Sequence, residues 1–459
     1  MYGGSSTKVL LGAIARATAL TPLLLLLMSS APTSASETAV APSSGQFVRG
    51  SLGSGVALGA RAGGALLLNK LLAVYGGPGG LTLLAHFQNL LALFTTLPND
   101  GTHVGVVKYL APLRPTSGRY RAWLGAAVAL NGVALLLGLG LLYWALGPLV
   151  SVFQPTFGWL VLFGLGVVLL TLHALVGAML LAASQLRAYI VLTVILSVLG
   201  PAAVAAVLLS PKETPAVSEA LLAYLLAQGA TLVPALWLAQ RHGLLPRLRG
   251  RLSKVALREL SKFLLMAVGL LLFGKAVDFG VRELLVRQFG LAETDLWQAV
   301  VKLSDNYTMV LAAVMSSVYY PRLAALAVQP AAQKQWVRTV LRLLIPVLAA
   351  GLLLLYGLRQ WLLPLLFEAR FAPAADLLAP QLLADWFRFI AWPLIMVFTA
   401  QARVGRYVAV QAGSAVVYAA ALAVLVPSYG LYGALLAGVA RQGLLVLWCA
   451  WYFQEYWRR

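Results

Sequence analysis

Apolar runs of about 20 residues recur along this chain, and each is long enough as a helix to cross the roughly 30 Å hydrocarbon core of a bilayer. Residues 122–146, 157–183 and 188–209 carry no Lys, Arg, Asp or Glu at all. Short polar, Gly or Pro breaks separate the runs. A composition of 61% hydrophobic and 10% charged residues excludes a soluble domain. The fold class expected is therefore an all-α polytopic membrane protein.

Twelve segments are predicted, over about 47–73, 81–111, 122–146, 157–183, 188–209, 219–240, 262–287, 295–318, 337–362, 381–401, 407–426 and 430–453. The second is expected to be interrupted at Pro98-Asn99-Asp100-Gly101. The longest polar break holds Arg241, Arg247, Arg249, Arg251, Lys254 and Arg258. It divides the chain into an N-terminal extension (1–46), a six-helix lobe (47–240), a basic linker (241–258) and a second six-helix lobe with a short tail (259–459).

The formal net charge of +20 does not point to nucleic acid. Lys and Arg collect in every second loop: Arg114, Arg119 and Arg121, then Arg187, the linker, Arg322 and Lys334, Arg403 and Arg406, and the tail. The other loops hold only Lys212, Arg287 and Arg370, with Arg359 near a helix end. Under the positive-inside rule this bias places both ends of the twelve-helix body in the cytoplasm. The extension has Lys8 and Arg16 before an apolar core from Ala17 to Met28 and a Ser/Ala/Pro/Thr tail. It reads as a signal-like segment, a short extra helix, or a tail upstream of a start at Met28. Were residues 9–28 to span the membrane, every basic loop would fall on the wrong side, so a non-spanning extension is expected.

The halves show internal repetition. Asn69-Lys70-Leu71-Leu72 matches Arg282-Glu283-Leu284-Leu285, Asn89 matches Asn306, and Arg187-Ala188-Tyr189 matches Arg406-Tyr407, all at offsets of 213–219 residues. Six helices per half give both repeats the same topology, with a central cavity between two pseudo-symmetric lobes.

Residues 262–306 carry the costliest feature. Lys275, Asp278, Arg282 and Glu283 lie inside an apolar run. At about 100° per residue, Arg282 falls within about 20° of Lys275, and Asp278 about 60° away. A charge at the centre of a membrane helix costs about 2.5–3.5 kcal/mol on insertion scales, so this face is expected to meet protein or a wet cavity. Arg61 and Arg441 lie near the middle of their own helices, Lys302, Asp305 and Asn306 share a face, and Asp385 precedes Arg388 by one turn. A cation-rich cavity that receives an anionic head group fits this set, because guanidinium forks match phosphate oxygens. Structural ion pairs, Asp278 with Arg282 and Asp385 with Arg388, are the competing reading.

No phosphate loop of the G-x-x-x-x-G-K-[ST] type occurs, so no ATPase is expected. Four scattered histidines and the single Cys449 offer no metal cluster, and no cofactor is expected. The outer loops are short, which argues against an external catalytic domain. A transporter, not an enzyme, is the expectation.

Three runs carry a resemblance. NKLLAVYGGPGGLTLLAHFQNL, ELSKFLLMAV followed by DLWQAVVKLSDNY, and VYYPRLAAL resemble the Wzx-type O-antigen translocases and enterobacterial lipid III flippases. These belong to the multidrug/oligosaccharidyl-lipid/polysaccharide (MOP) exporter superfamily. The similarity runs from about Phe47 to the C-terminus. It implies flipping of an undecaprenyl-pyrophosphate-linked oligosaccharide across the bacterial inner membrane by alternating access. Lys70 and Arg282 fall on basic positions of that pattern, whereas Lys275 and Asp278 depart from it.

The combined expectation is a lipid-linked oligosaccharide flippase of the O-antigen or related type. Substrate contacts are expected from Arg61, Lys70, Asn89, Lys275, Arg282, Lys302, Asn306 and Arg441, and coupling from Asp278, Asp305 and Asp385. Membrane lipids and a polysaccharide polymerase or chain-length complex are the expected partners, and the working unit is expected to be a monomer. The rivals are a cation-coupled multidrug exporter, which would want an acidic cavity, and a membrane polymerase or glycosyltransferase, which would want a long catalytic outer loop.

Overall fold

A computed structural model describes residues 44–144, 151–210, 217–246, 253–326, 329–401 and 403–456. The extension before residue 44, and Arg247, Arg249 and Arg251 of the linker, lie outside the described residues. The described residues are almost all helical and contain no strand. The first lobe holds α1 (Ser44–Tyr75), α2 (Gly80–Leu110), α3 (Gly118–Trp144), α4 (Phe157–Ala182), α5 (Leu186–Leu208) and α6 (Val217–Arg241). The second holds α7 (residues 254–289), α8 (291–325), α9 (Pro330–Gly357), α10 (Leu378–Ala400), α11 (404–429) and α12 (431–452).

Helices α7 and α8 run together without a coil, as do α11 and α12, but each pair reverses at a glycine. Gly290 has φ +78° and Gly430 φ +59°, a left-handed region that glycine enters without steric cost. Side chains prove the reversals. Arg282 and Gln298 are 16 residues apart and hydrogen-bond at 2.8 Å, whereas a continuous helix would hold them about 24 Å apart. Arg441 and Ser414 are 27 residues apart and also bond at 2.8 Å, where a straight helix would impose about 40 Å. Among the described residues, ten continuous helical stretches are long and apolar enough to cross a membrane. With those two folded back, they make twelve crossing segments.

The interruption expected in α2 takes another form. Leu97–Thr102 winds as a π-helix, and the His103 amide donates to the Pro98 carbonyl. Pro98 lacks an N–H and would clash with a regular turn. The wider turn absorbs it, and the helix continues as one rod. Helix α7 also begins earlier than expected: Ser253 caps it by accepting the Ala256 amide at 3.3 Å, so Lys254 and Arg258 ride on its first turns.

The packed cores show how the lobes sit. At the end that carries the Gly76–Gly80 loop, one cluster of buried apolar side chains joins both lobes. It takes Leu72, Leu84 and Phe87 from the first lobe with Ala299, Leu303, Phe367 and Phe371 from the second. At the basic-loop end the core is divided. One cluster belongs to α2–α6 and takes in Ala256 and Leu260 of α7, with Leu257 packed against it. Another belongs to α8–α12. The buried core is shared at the glycine-loop end and divided at the basic end, where the first turns of α7 pack on α2 and the rest of the second lobe keeps a core of its own.

Candidate functional site

The contacts that join the lobes are unusually polar for a membrane interior. Asp295, at the start of α8, is 3% exposed and accepts the Gly79 amide at 2.8 Å, the Thr82 amide at 2.7 Å and the Thr82 hydroxyl at 2.6 Å. A carboxylate of one lobe thus caps the first turn of a helix in the other, where orphan amides and the helix dipole favour an anion. Arg370 donates to the carbonyls of Ala73 and Gly77 at 2.5 and 2.9 Å, and Lys70 to that of Leu365 at 3.1 Å. Together these tie the glycine-loop end shut.

Deeper in, the charged face of α7 meets α2 and α8. Arg282 is buried; its Nε donates to Gln298 at 2.8 Å and a terminal nitrogen to the Ala85 carbonyl at 3.2 Å. Its guanidinium lies 5.9 Å from the Trp297 ring centre. Lys302 is buried and donates to Gln88 across the lobe boundary. It lies within electrostatic reach of Asp305, Arg282 and Lys275. Asp278 in turn is within reach of Lys275, Arg441, Arg282 and Asp305. Arg441 donates to Ser414 at 2.8 Å and sits 5.1 Å from the centre of the Tyr418 ring. On the first-lobe side, Arg61 acts on Tyr224, which reaches Gln228 and Gln88.

The structure therefore gathers Lys275, Asp278, Arg282, Lys302, Asp305 and Arg441 into one cluster, with Arg61 linked to it through Tyr224 and Gln88. Arg61, Asp278 and Asp305 present accessible surface while Arg282 and Lys302 are buried. The cluster lines an accessible space rather than a sealed core. Four cations face two carboxylates there, and no carboxylate lies within 4 Å of Lys275, Arg282, Lys302 or Arg441 among the described residues. The Asp278–Arg282 ion pair weighed from sequence is thus not formed. Among the described residues, Asn89 Nδ2, Asn306 Nδ2 and Gln442 Oε1 are buried without a hydrogen-bond partner, an uncommon state for buried polar groups.

Two of the sequence candidates lie elsewhere. Lys70 is at the tied end. Asp385 is buried in α10, paired with Arg388 at 2.8 Å. It also accepts from Ser304 at 2.6 Å, from Gln381 at 3.1 Å and from Tyr307. With four donors its oxygens are satisfied. Asp295, Thr82, Gln88, Gln298 and Tyr418 also belong to these contacts and are not among the residues expected from sequence. Gln88 sits one residue from Asn89, so the signal was present; Asp295 reads locally as an ordinary helix-start residue and gives none.

No protein-family model matches the chain. Curated relatives are the lipid III flippases of Escherichia coli (strain K12) and Shigella flexneri, each 27% identical over 84% of this chain and 95% of the relative. Among solved structures, the lipid II flippase MurJ in an inward closed conformation superposes with a TM-score of 0.64 at 11% identity, covering 89% of this chain and 87% of that one. An inward-facing multidrug resistance MATE family transporter of the MOP superfamily gives 0.63 at 12% identity, over 85% and 94%. A Vibrio cholerae MATE transporter gives 0.62 at 13% identity, over 90% and 98%. These relatives and neighbours are flippases and transporters. By sequence this chain is a relative of the lipid III flippases, and it is built on the two-lobe fold of the MOP-superfamily transporters.

Proposed function

We propose that the chain flips an undecaprenyl-pyrophosphate-linked oligosaccharide from the cytoplasmic to the outer leaflet of a bacterial inner membrane by alternating access. The observation that carries this reading is the inter-lobe cluster in which four cations have no carboxylate partner within 4 Å. Unpaired cations inside a membrane protein are costly, and a diphosphate brought from the bilayer surface would complete them with short charge-assisted hydrogen bonds. Arg61, Lys275, Arg282, Lys302 and Arg441 hold the diphosphate. Asn89, Asn306 and Gln442 offer amide groups to sugar hydroxyls, and Asp278 and Asp305 balance charge or couple an ion.

The divided core at the basic end supports a loading conformation. Read with the positive-inside bias, that end faces the cytoplasm, where lipid-linked sugars would be picked up. The lipid III flippase relatives support a lipid-linked oligosaccharide, and O-antigen or a related repeat is the substrate class. Both lobes come from one chain, so a monomer can enclose the site. A polymerase that consumes flipped repeats is the natural partner on the far side.

The test is reconstitution of the full chain in proteoliposomes with a fluorescent lipid-linked oligosaccharide. Transfer to the far leaflet is expected, and it should stop in the Arg61→Ala/Arg282→Ala double variant while membrane insertion is kept. Unchanged flipping by that variant, efflux of cationic drugs instead, or polymer formation would each overturn the reading.

A further inference from the structure

A second feature of the cluster leads away from it. Helices α11 and α12 part along one face to leave a cavity of about 580 Å³, within the size range of pockets that enclose a small-molecule ligand. Its upper end is Arg441, the same residue that belongs to the cationic cluster, and its lower end is Arg406 at the basic face. From Arg406 to Val417 it runs about 16 Å along α11. The walls between are apolar: Val410, Val417, Leu445 and Trp448. Trp448 stacks on Tyr452 at 5.1 Å between ring centres, and Arg406 donates to the Tyr452 hydroxyl, closing the lower end.

We propose that this groove seats the isoprenoid units next to the diphosphate of the lipid carrier, so that the tail leaves the cationic site along α11 and α12. This rests on the flippase reading above. A ligand with an anionic head and a long apolar tail needs a cation at one end of an apolar trough. Arg441 supplies it, since its one side-chain hydrogen bond is from Nε to Ser414 and no carboxylate lies within 4 Å among the described residues. A tail left in bulk lipid would need no groove that begins at a member of the head-group site. Occupation also gives the second lobe a hold on the carrier that moves with it, while the first lobe grips the head through Arg61.

Gly413 provides a clean probe. It lines the groove, and a Cβ there would meet no atom within 4 Å. The first side-chain atom of Gly413→Trp therefore meets no clash, and the indole adds bulk at the trough. Gly351, an exposed α9 residue with similarly open surroundings, serves as the control for added bulk.

The full chain in nanodiscs is photolabelled with a polyprenyl diphosphate that carries a benzophenone near its head, and the labelled peptides are mapped. Labels are expected within residues 406–417 and 441–452. Gly413→Trp should lower labelling about tenfold, equivalent to about 1.4 kcal/mol, while Gly351→Trp does not. Inorganic pyrophosphate should compete for the head site in both variants. Labelling confined to other helices, undiminished labelling of Gly413→Trp, or equal groove labelling by a photoreactive phosphatidylglycerol would overturn the proposal. If flipping and pyrophosphate competition persist in any of those cases, only the groove falls. If pyrophosphate never competes and the native chain does not flip, the flippase reading falls with it.

Discussion

Arg61 and Arg282 carry the same charge in the same site but are held in opposite ways, and this separates binding from folding. Arg61 is exposed to the accessible space and interacts with Tyr224. Arg282 is buried and its fork donates to the Gln298 side-chain oxygen and, across the lobe boundary, to the Ala85 carbonyl. Removing Arg61 leaves no buried partner unsatisfied, whereas removing Arg282 strands the buried Gln298 side-chain oxygen, at about 1–3 kcal/mol. Arg61→Ala is expected to keep its melting temperature and lose about tenfold in affinity for a diphosphate head, the loss of one charge-assisted bond. Arg282→Ala should lose both stability and transport. Arg282→Lys should recover little, because one ammonium cannot reproduce the fork. Thermal unfolding and pyrophosphate titration on the same samples check both, and equal destabilisation by the two alanine variants would contradict the contrast.

At the scale of elements, the join between α2 and α7 decides how closely the lobes approach at the basic end. Gly101, in the π-wound part of α2, and Gly105, in the α-helical stretch that follows, are one helical turn apart. A Cβ on Gly101 would lie 3.1 Å from the Leu264 Cα, and one on Gly105 would lie 2.5 Å from a Leu260 methyl. Such small-residue pairs let membrane helices touch through their backbones. Gly101→Leu is expected to push α7 from α2, because the obstacle is backbone. Gly105→Ala should be milder, since the obstacle is the end of a flexible side chain. Spin-label distances between α2 and α7 would show a separation in the first variant and little change in the second.

This element scale also marks where the sequence stopped being legible. Apolar runs near 20 residues identified the membrane helices, and a bias of Arg and Lys marked one end. The wide turn at Pro98 looked like a break, because a proline in a run predicts a missing hydrogen bond but not the π-turn that absorbs it. Within the site, Lys275, Asp278 and Arg282 were visible because charge inside an apolar run is conspicuous. Their partners were not. Gln298 and Gln88 are neutral, and their roles follow only from how α7 and α8 fold back against α2. Asp385 looked like Asp278 in sequence, yet four donors surround it in the fold.

For the whole molecule, alternating access requires the glycine-loop end to come apart, and Asp295 is the strongest restraint against it. Three donors at the start of α2, from Gly79 and Thr82, converge on this one carboxylate, and hydrogen bonds to a charged group contribute about 1.5–3 kcal/mol each. Opening that end leaves a carboxylate and the first turn of α2 without partners unless water enters, so the closed arrangement is favoured by several kcal/mol until substrate or a coupling ion binds the open one more tightly. A covalent tie at the same place should hold the chain in that state. Thr82→Cys with Asp295→Cys replaces the hydroxyl–carboxylate contact by two thiols, and Cys449 is buried and will not compete. Oxidation is expected to reduce flipping to background while diphosphate binding from the basic end persists, and reduction should restore turnover. A crosslinked protein that still flips its lipid would show that the two ends do not open in alternation about this latch.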